Sequence, residues 1–118
     1  MTQEEKQLLL KDLCARLPYE VIVERTYIPE NNGYTSKLTA YTLNLVLDDN
    51  WSVKPYLRPM SSMTEEELHE YNMHLFGITI GVDAMNFMIW IYQHHLDILH
   101  FIEKGFALEA PEGMYKTE

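Results

Sequence analysis

Four side chains late in the chain could bind a metal or move a proton: His94, His95, Asp97 and His100. A metal site needs its ligands to converge on one point. Neighbouring residues on a helix diverge by about 100°, so His94 and His95 point apart. His95 and His100 are five residues apart and also miss a shared face. His94 and Asp97 are three apart and can meet. An enzyme reading would therefore place Asp97 with His94 or His95 in a pocket. The simpler reading is histidines near a helix end, facing the negative pole of its dipole. No metal or other cofactor is expected from this pattern.

Other apparent motifs fail on spacing. His69 and His74 are five apart, whereas a zinc-peptidase helix needs histidines four apart on one face. Gly77 and Gly81 are too sparse for a phosphate loop and lack the Lys-Ser/Thr that follows one. Nucleophilic catalysis would need Cys14 or a serine beside a histidine and an orienting group. Cys14 lies in an apolar stripe with Leu9, Leu10, Leu13 and Leu17, so it is expected to pack in the core. No catalytic constellation emerges.

A second candidate is a recognition loop. Pro55 and Pro59 bracket Tyr56, Leu57 and Arg58, followed by Ser61, Ser62, Thr64 and three glutamates. The two prolines fix φ and stiffen the segment, but their spacing is not that of a proline-groove ligand. Tyr56, Leu57 and Arg58 are the residues expected to meet a partner protein. Thr64 and Glu67 have capping-box spacing, so the serine- and glutamate-rich stretch also starts a helix.

The elements that must position these residues follow from the pattern. Thr2 and Glu5 cap an N-terminal helix that Pro18 stops. Residues 19–27, 34–47 and 51–56 read as strands, joined at Pro29-Glu30-Asn31-Asn32-Gly33 and Asp48-Asp49-Asn50. Pro55 is expected to confine the last strand to an edge or to end it. Helices follow over residues 65–75, ending before Gly77, and over 84–94 with Asp83 as cap, then a helical turn over 97–103 that stops at Gly105. The expected fold is α+β in one domain, residues 1–118. It has an N-terminal helix, a small antiparallel sheet of about three strands that can curl toward a barrel, two C-terminal helices and a short helical turn.

Composition narrows the function further. The chain has 118 residues, 47% hydrophobic and 23% charged, which suits one folded domain. The net charge is −9, unevenly spread: residues 1–59 hold 8 acids and 7 bases, residues 60–118 hold 10 acids and 2 bases. Nucleic-acid binding needs clustered Lys and Arg, so direct binding is not expected. The acidic half admits a decoy that occupies a nucleic-acid-binding protein. No apolar run is long enough for a membrane span. The polar opening and the single cysteine fit a cytoplasmic protein. The run from Met85 to Tyr92 is apolar all round, which means a central core helix or, in competition, a homodimer contact.

Three segments carry a resemblance. Residues 11–19 (KDLCARLPY), 53–67 (VKPYLRPMSSMTEEE) and 102–115 (IEKGFALEAPEGMY) look like a family of small uncharacterised proteins of gut anaerobic bacteria and their phage-like elements. His94-His95 with Asp97 also fits that family. The match covers about a third of the chain and reaches both ends. It implies a phage or prophage context and brings no activity, cofactor or site residue. With the residue readings, it leads to a non-enzymatic accessory protein that binds another protein.

Overall fold

A computed structural model describes residues 1–79, 81 and 84–115. Helix α1 (Gln3–Arg16) starts at the expected capping box: Thr2 accepts from the Glu5 backbone, and Glu5 reaches back to the Thr2 backbone. A 3₁₀ turn through Pro18 leads to β1 (Ile22–Tyr27). Strand β2 (Asn32–Lys37) returns antiparallel to it, pairing Ile22 with Lys37 and Tyr27 with Asn32. After a helical turn, α2 (Ala40–Leu43), strand β3 (Trp51–Leu57) pairs antiparallel with the other side of β1. Helices α3 (Glu65–Thr79) and α4 (Ala84–Gln93) form a hairpin. A short α5 (Phe101–Lys104) and β4 (Leu108–Glu109) follow. The fold is α+β. Its sheet is open, in the order β2-β1-β3-β4.

Several expectations need correction. The sheet has four strands, and β4 runs parallel to β3. Residues 38–47 do not continue a strand. Leu38, Thr42, Leu45 and Val46 are the buried positions there, a helical spacing that outweighs the alternation of residue types. Thr39 caps the turn by accepting from the Thr42 backbone. Helix α3 runs past Gly77 to Thr79. A helical glycine costs about 1 kcal/mol, and Ile78 offsets this by packing against α4. Pro55 sits within β3, opposite Val23. It is tolerated because β4 reaches only Tyr56 and Leu57, leaving the far side of Pro55 unpaired. The expected cap Asp83 lies outside the described residues.

Cys14 is exposed, against expectation. The buried stripe of α1 is Leu9, Asp12, Leu13 and Arg16. This is the same 3.6-residue repeat, rotated so that an ion pair replaces the thiol.

Among the described residues, apolar burial falls into two clusters. The first gathers Leu9 and Leu13 of α1, Val23, Val53 and Leu57 of the sheet, and Phe101 and Phe106. The second lies around the hairpin: Phe87, Trp90 and Ile91 of α4 with Leu96, flanked by Tyr71 and Ile78. Each fully buried large apolar side chain contributes roughly 1.5–3 kcal/mol, so both clusters are substantial. Among the described residues, no helix is long and apolar enough to cross a membrane.

Candidate functional site

The two groups singled out in the sequence meet at the seam between the clusters. Arg58 leaves the end of β3 and its backbone bridges the turn after α4. Arg58 N–H donates to His95 O at 2.7 Å, and Asp97 N–H donates to Arg58 O at 2.9 Å. This is a one-residue parallel bridge, Arg58 to Leu96.

The Arg58 guanidinium turns inward. Nη1 and Nη2 donate to the two Glu67 carboxylate oxygens at 2.8 and 2.7 Å. The same group donates to His94 O at 3.3 Å and Ser62 O at 3.2 Å. Glu67 in turn completes the capping box of α3, accepting from Thr64 N–H at 2.9 Å while Thr64 Oγ1 accepts from Glu67 N–H at 3.1 Å. The paired guanidinium, with help from the Thr64 backbone, holds the Glu67 carboxyl down to about 2 against the desolvation of its burial. A planar fork on a carboxylate is the strong form of this contact.

The neighbouring groups are also engaged. Both Asp97 oxygens accept from the first turn of α5, from Phe101 N–H at 2.8 Å and Ile102 N–H at 2.9 Å. His94 Nδ1 donates to Trp90 O at 2.9 Å, its ring lies 4.4 Å from the indole, and its Nε2 is 4.0 Å from Glu67. His95 takes a left-handed backbone, φ 57°, and stacks on Tyr115 with ring centres 3.7 Å apart. Burial, reinforced by Arg16, Arg58 and His94, pushes the His95 imidazole down to about 4. The Tyr115 hydroxyl accepts from Ile22 N–H at 2.8 Å and donates to Tyr56 O at 2.7 Å. Burial raises that phenol to about 12.

Beneath this seam lies a pair that no motif in the sequence marks. Arg16 Nε donates to Asp12 Oδ2 at 2.7 Å, with both side chains buried. Arg16 Nη2 donates to Leu96 O at 2.8 Å, and the guanidinium sits 5.2 Å above the Tyr92 ring. Burial pushes the Asp12 carboxyl up, and Arg16 opposes that shift. The clue in the sequence was the i, i+4 spacing of an acid and a base beside the leucine stripe.

Chemically, the arrangement joins elements. Asp97 shares no bond with His94 or His95, because its carboxylate is spent on α5. Among the described residues, no three His, Cys, Asp or Glu side chains converge to hold a metal ion. Leu57 is buried in the sheet and Arg58 is committed to Glu67. Tyr56 is half-buried, with its hydroxyl donating to Glu24 at 3.3 Å. A cleft of about 650 Å³ opens beside Arg58, between residues 59–67 and the strap 109–115. Among the described residues, its polar lining, which includes Ser61, Thr64, Glu109 and Glu112, offers no cation beyond the paired Arg58.

Exposed apolar side chains gather elsewhere on the outer side of α3, among others scattered over the surface. Leu68, Met73 and Phe76 are 46%, 57% and 60% exposed. Leu68 and Phe76 are eight residues apart on one stripe, and Met73 flanks Phe76. Compared with family models, curated proteins and solved structures, the chain matches none.

Proposed function

We propose that this is a non-enzymatic accessory protein that binds another protein, through the outer face of α3. The single observation behind this is the exposure of Leu68, Met73 and Phe76 on one side of a helix whose other side is packed. Aromatic and methionine side chains are the types that anchor interfaces. The engagement of Arg58, Glu67, His94 and Asp97 within the chain supports a binding role over catalysis. The partner surface on this reading is therefore the hairpin, which Arg58 at the end of β3 braces through Glu67. The resemblance supports a phage or prophage setting, and the lone thiol suits the cytoplasm.

A photo-crosslinking residue at position 76, with a control at exposed Tyr34, tests this in cells that express the protein. Adducts with one other protein from position 76 and none from position 34 are expected. Equal labelling at both positions, or none at 76, removes the reading.

A further inference from the structure

The exposed face of α3 carries Leu68, Met73 and Phe76 with the polar His69 and Asn72 between them, and its electrostatic setting is one-sided. From residue 59 to 103 the chain holds 7 acids and no Lys or Arg. Glu65 and Glu66 are exposed at the start of α3. Glu65 lies eleven residues before Phe76 and Glu66 seven before Met73, so both fall on the same face of α3, nearer the helix start. Glu67 beside them is neutralised by Arg58, but Glu65 and Glu66 gain no such countercharge from residues 59–103.

Resting on the protein-binding reading above, we infer that the occupant of this face is a basic amphipathic helix of another protein. Its apolar side covers Leu68, Met73 and Phe76, and its Lys or Arg residues lie over Glu65 and Glu66. Helix-on-helix docking is the recognition mode such a stripe supports. Met73 lets the surface adapt to the incoming side chains. A second copy packed with α3 parallel would bring the same uncompensated carboxylates together, and an antiparallel copy is read out by light scattering below. An anionic membrane would be repelled for the same reason.

The test uses the full chain and three synthetic helical peptides. One carries Leu on one face and Lys on the other, one replaces every Lys by Glu, and one scrambles the first. The Leu/Lys peptide is expected to bind at least about tenfold more tightly than either control, and binding should weaken as salt rises. Phe76→Ser should reduce its affinity about tenfold at unchanged protein charge, which separates docking from general attraction to an acidic surface. E65Q/E66Q should reduce affinity several-fold and flatten the salt dependence. Far-UV circular dichroism should show both variants folded. Equal binding of the Leu/Glu peptide, or indifference to Phe76→Ser, overturns the inference. So does a wild-type dimer in light scattering that Phe76→Ser turns into a monomer. If crosslinking at position 76 captures a protein while the Leu/Lys peptide fails, only the partner's chemistry is wrong. If both fail, the binding face itself is wrong.

Discussion

Arg58 and Glu67, nine residues apart in sequence, are joined by two parallel hydrogen bonds, with side chains only 14% and 11% exposed. One carboxylate thereby fixes the end of a strand and the start of a helix. The pair ties the sheet to the hairpin that carries the exposed α3 face.

Removing the base leaves Glu67 largely buried without its main countercharge. Arg58→Ala is expected to cost about 2–4 kcal/mol, and Glu67→Gln less, because an amide still caps α3. Urea denaturation of the two variants measures the difference. A smaller loss for Arg58→Ala than for Glu67→Gln would contradict the geometry.

The same pair sets an acid limb. Glu67 has a folded value of about 2, below its ordinary 4.5. Its contribution is complete above about 4.5 and is lost as pH falls toward 2. Wild-type stability should fall across that window, and Glu67→Gln should fall less steeply. Parallel curves for the two proteins would show that the carboxylate is not held down.

His95 acts over a higher window. Its folded value is about 4, against 6.5 for a free imidazole. The neutral ring stabilises the fold above 6.5, and this is lost as pH drops through about 4, because the unfolded chain takes the proton first. His95→Asn suits the left-handed backbone at this position and should remove the slope between those values. Melting temperatures across pH 4–7 are the measurement.

Arg16 and Asp12 should behave as a unit. Arg16→Met strands a buried carboxylate and is expected to cost about 3 kcal/mol. Adding Asp12→Leu should recover a good part of that, giving a coupling of about 1–3 kcal/mol in a double-mutant cycle. Full recovery is not expected, since Arg16 also serves Leu96 O. Strict additivity would mean that the two charges do not depend on each other.

Tyr115 and Cys14 give two chemical readouts. Tyr115→Phe keeps the ring against His95 but removes the hydroxyl shared by Ile22 and Tyr56, at a cost of about 1–2 kcal/mol. It should also delete a late-titrating phenol from the absorbance at alkaline pH, since Tyr115 ionises only near 12. Cys14 is exposed, so a thiol reagent should label it in the folded protein without denaturant.

Local chemistry was legible in the sequence, and long-range burial was not. The capping boxes at Thr2–Glu5 and Thr64–Glu67 were readable because both partners lie within four residues. The stop at Gly105, φ 80°, was readable because glycine accepts left-handed backbone. The leucines and the cysteine of α1 mask the buried role of Asp12 and Arg16, which depends on Leu96 and Tyr92 some eighty residues away. Residues 38–47 alternate like a strand, yet the buried positions follow a helical turn set by Thr39. At the candidate site, Arg58 was legible as special, but its partner was not. Glu67 already had an explanation as a cap, and only the folded chain shows it serving both roles.

The placement of Tyr115 bears on how the chain folds during synthesis. Its phenol closes Ile22 N–H and Tyr56 C=O, in strands made early, and its ring covers His95. A ribosome that has released the whole β1–β2 ribbon still holds back the residue that seals it. Final consolidation of the sheet therefore waits for residue 115 to clear the exit tunnel.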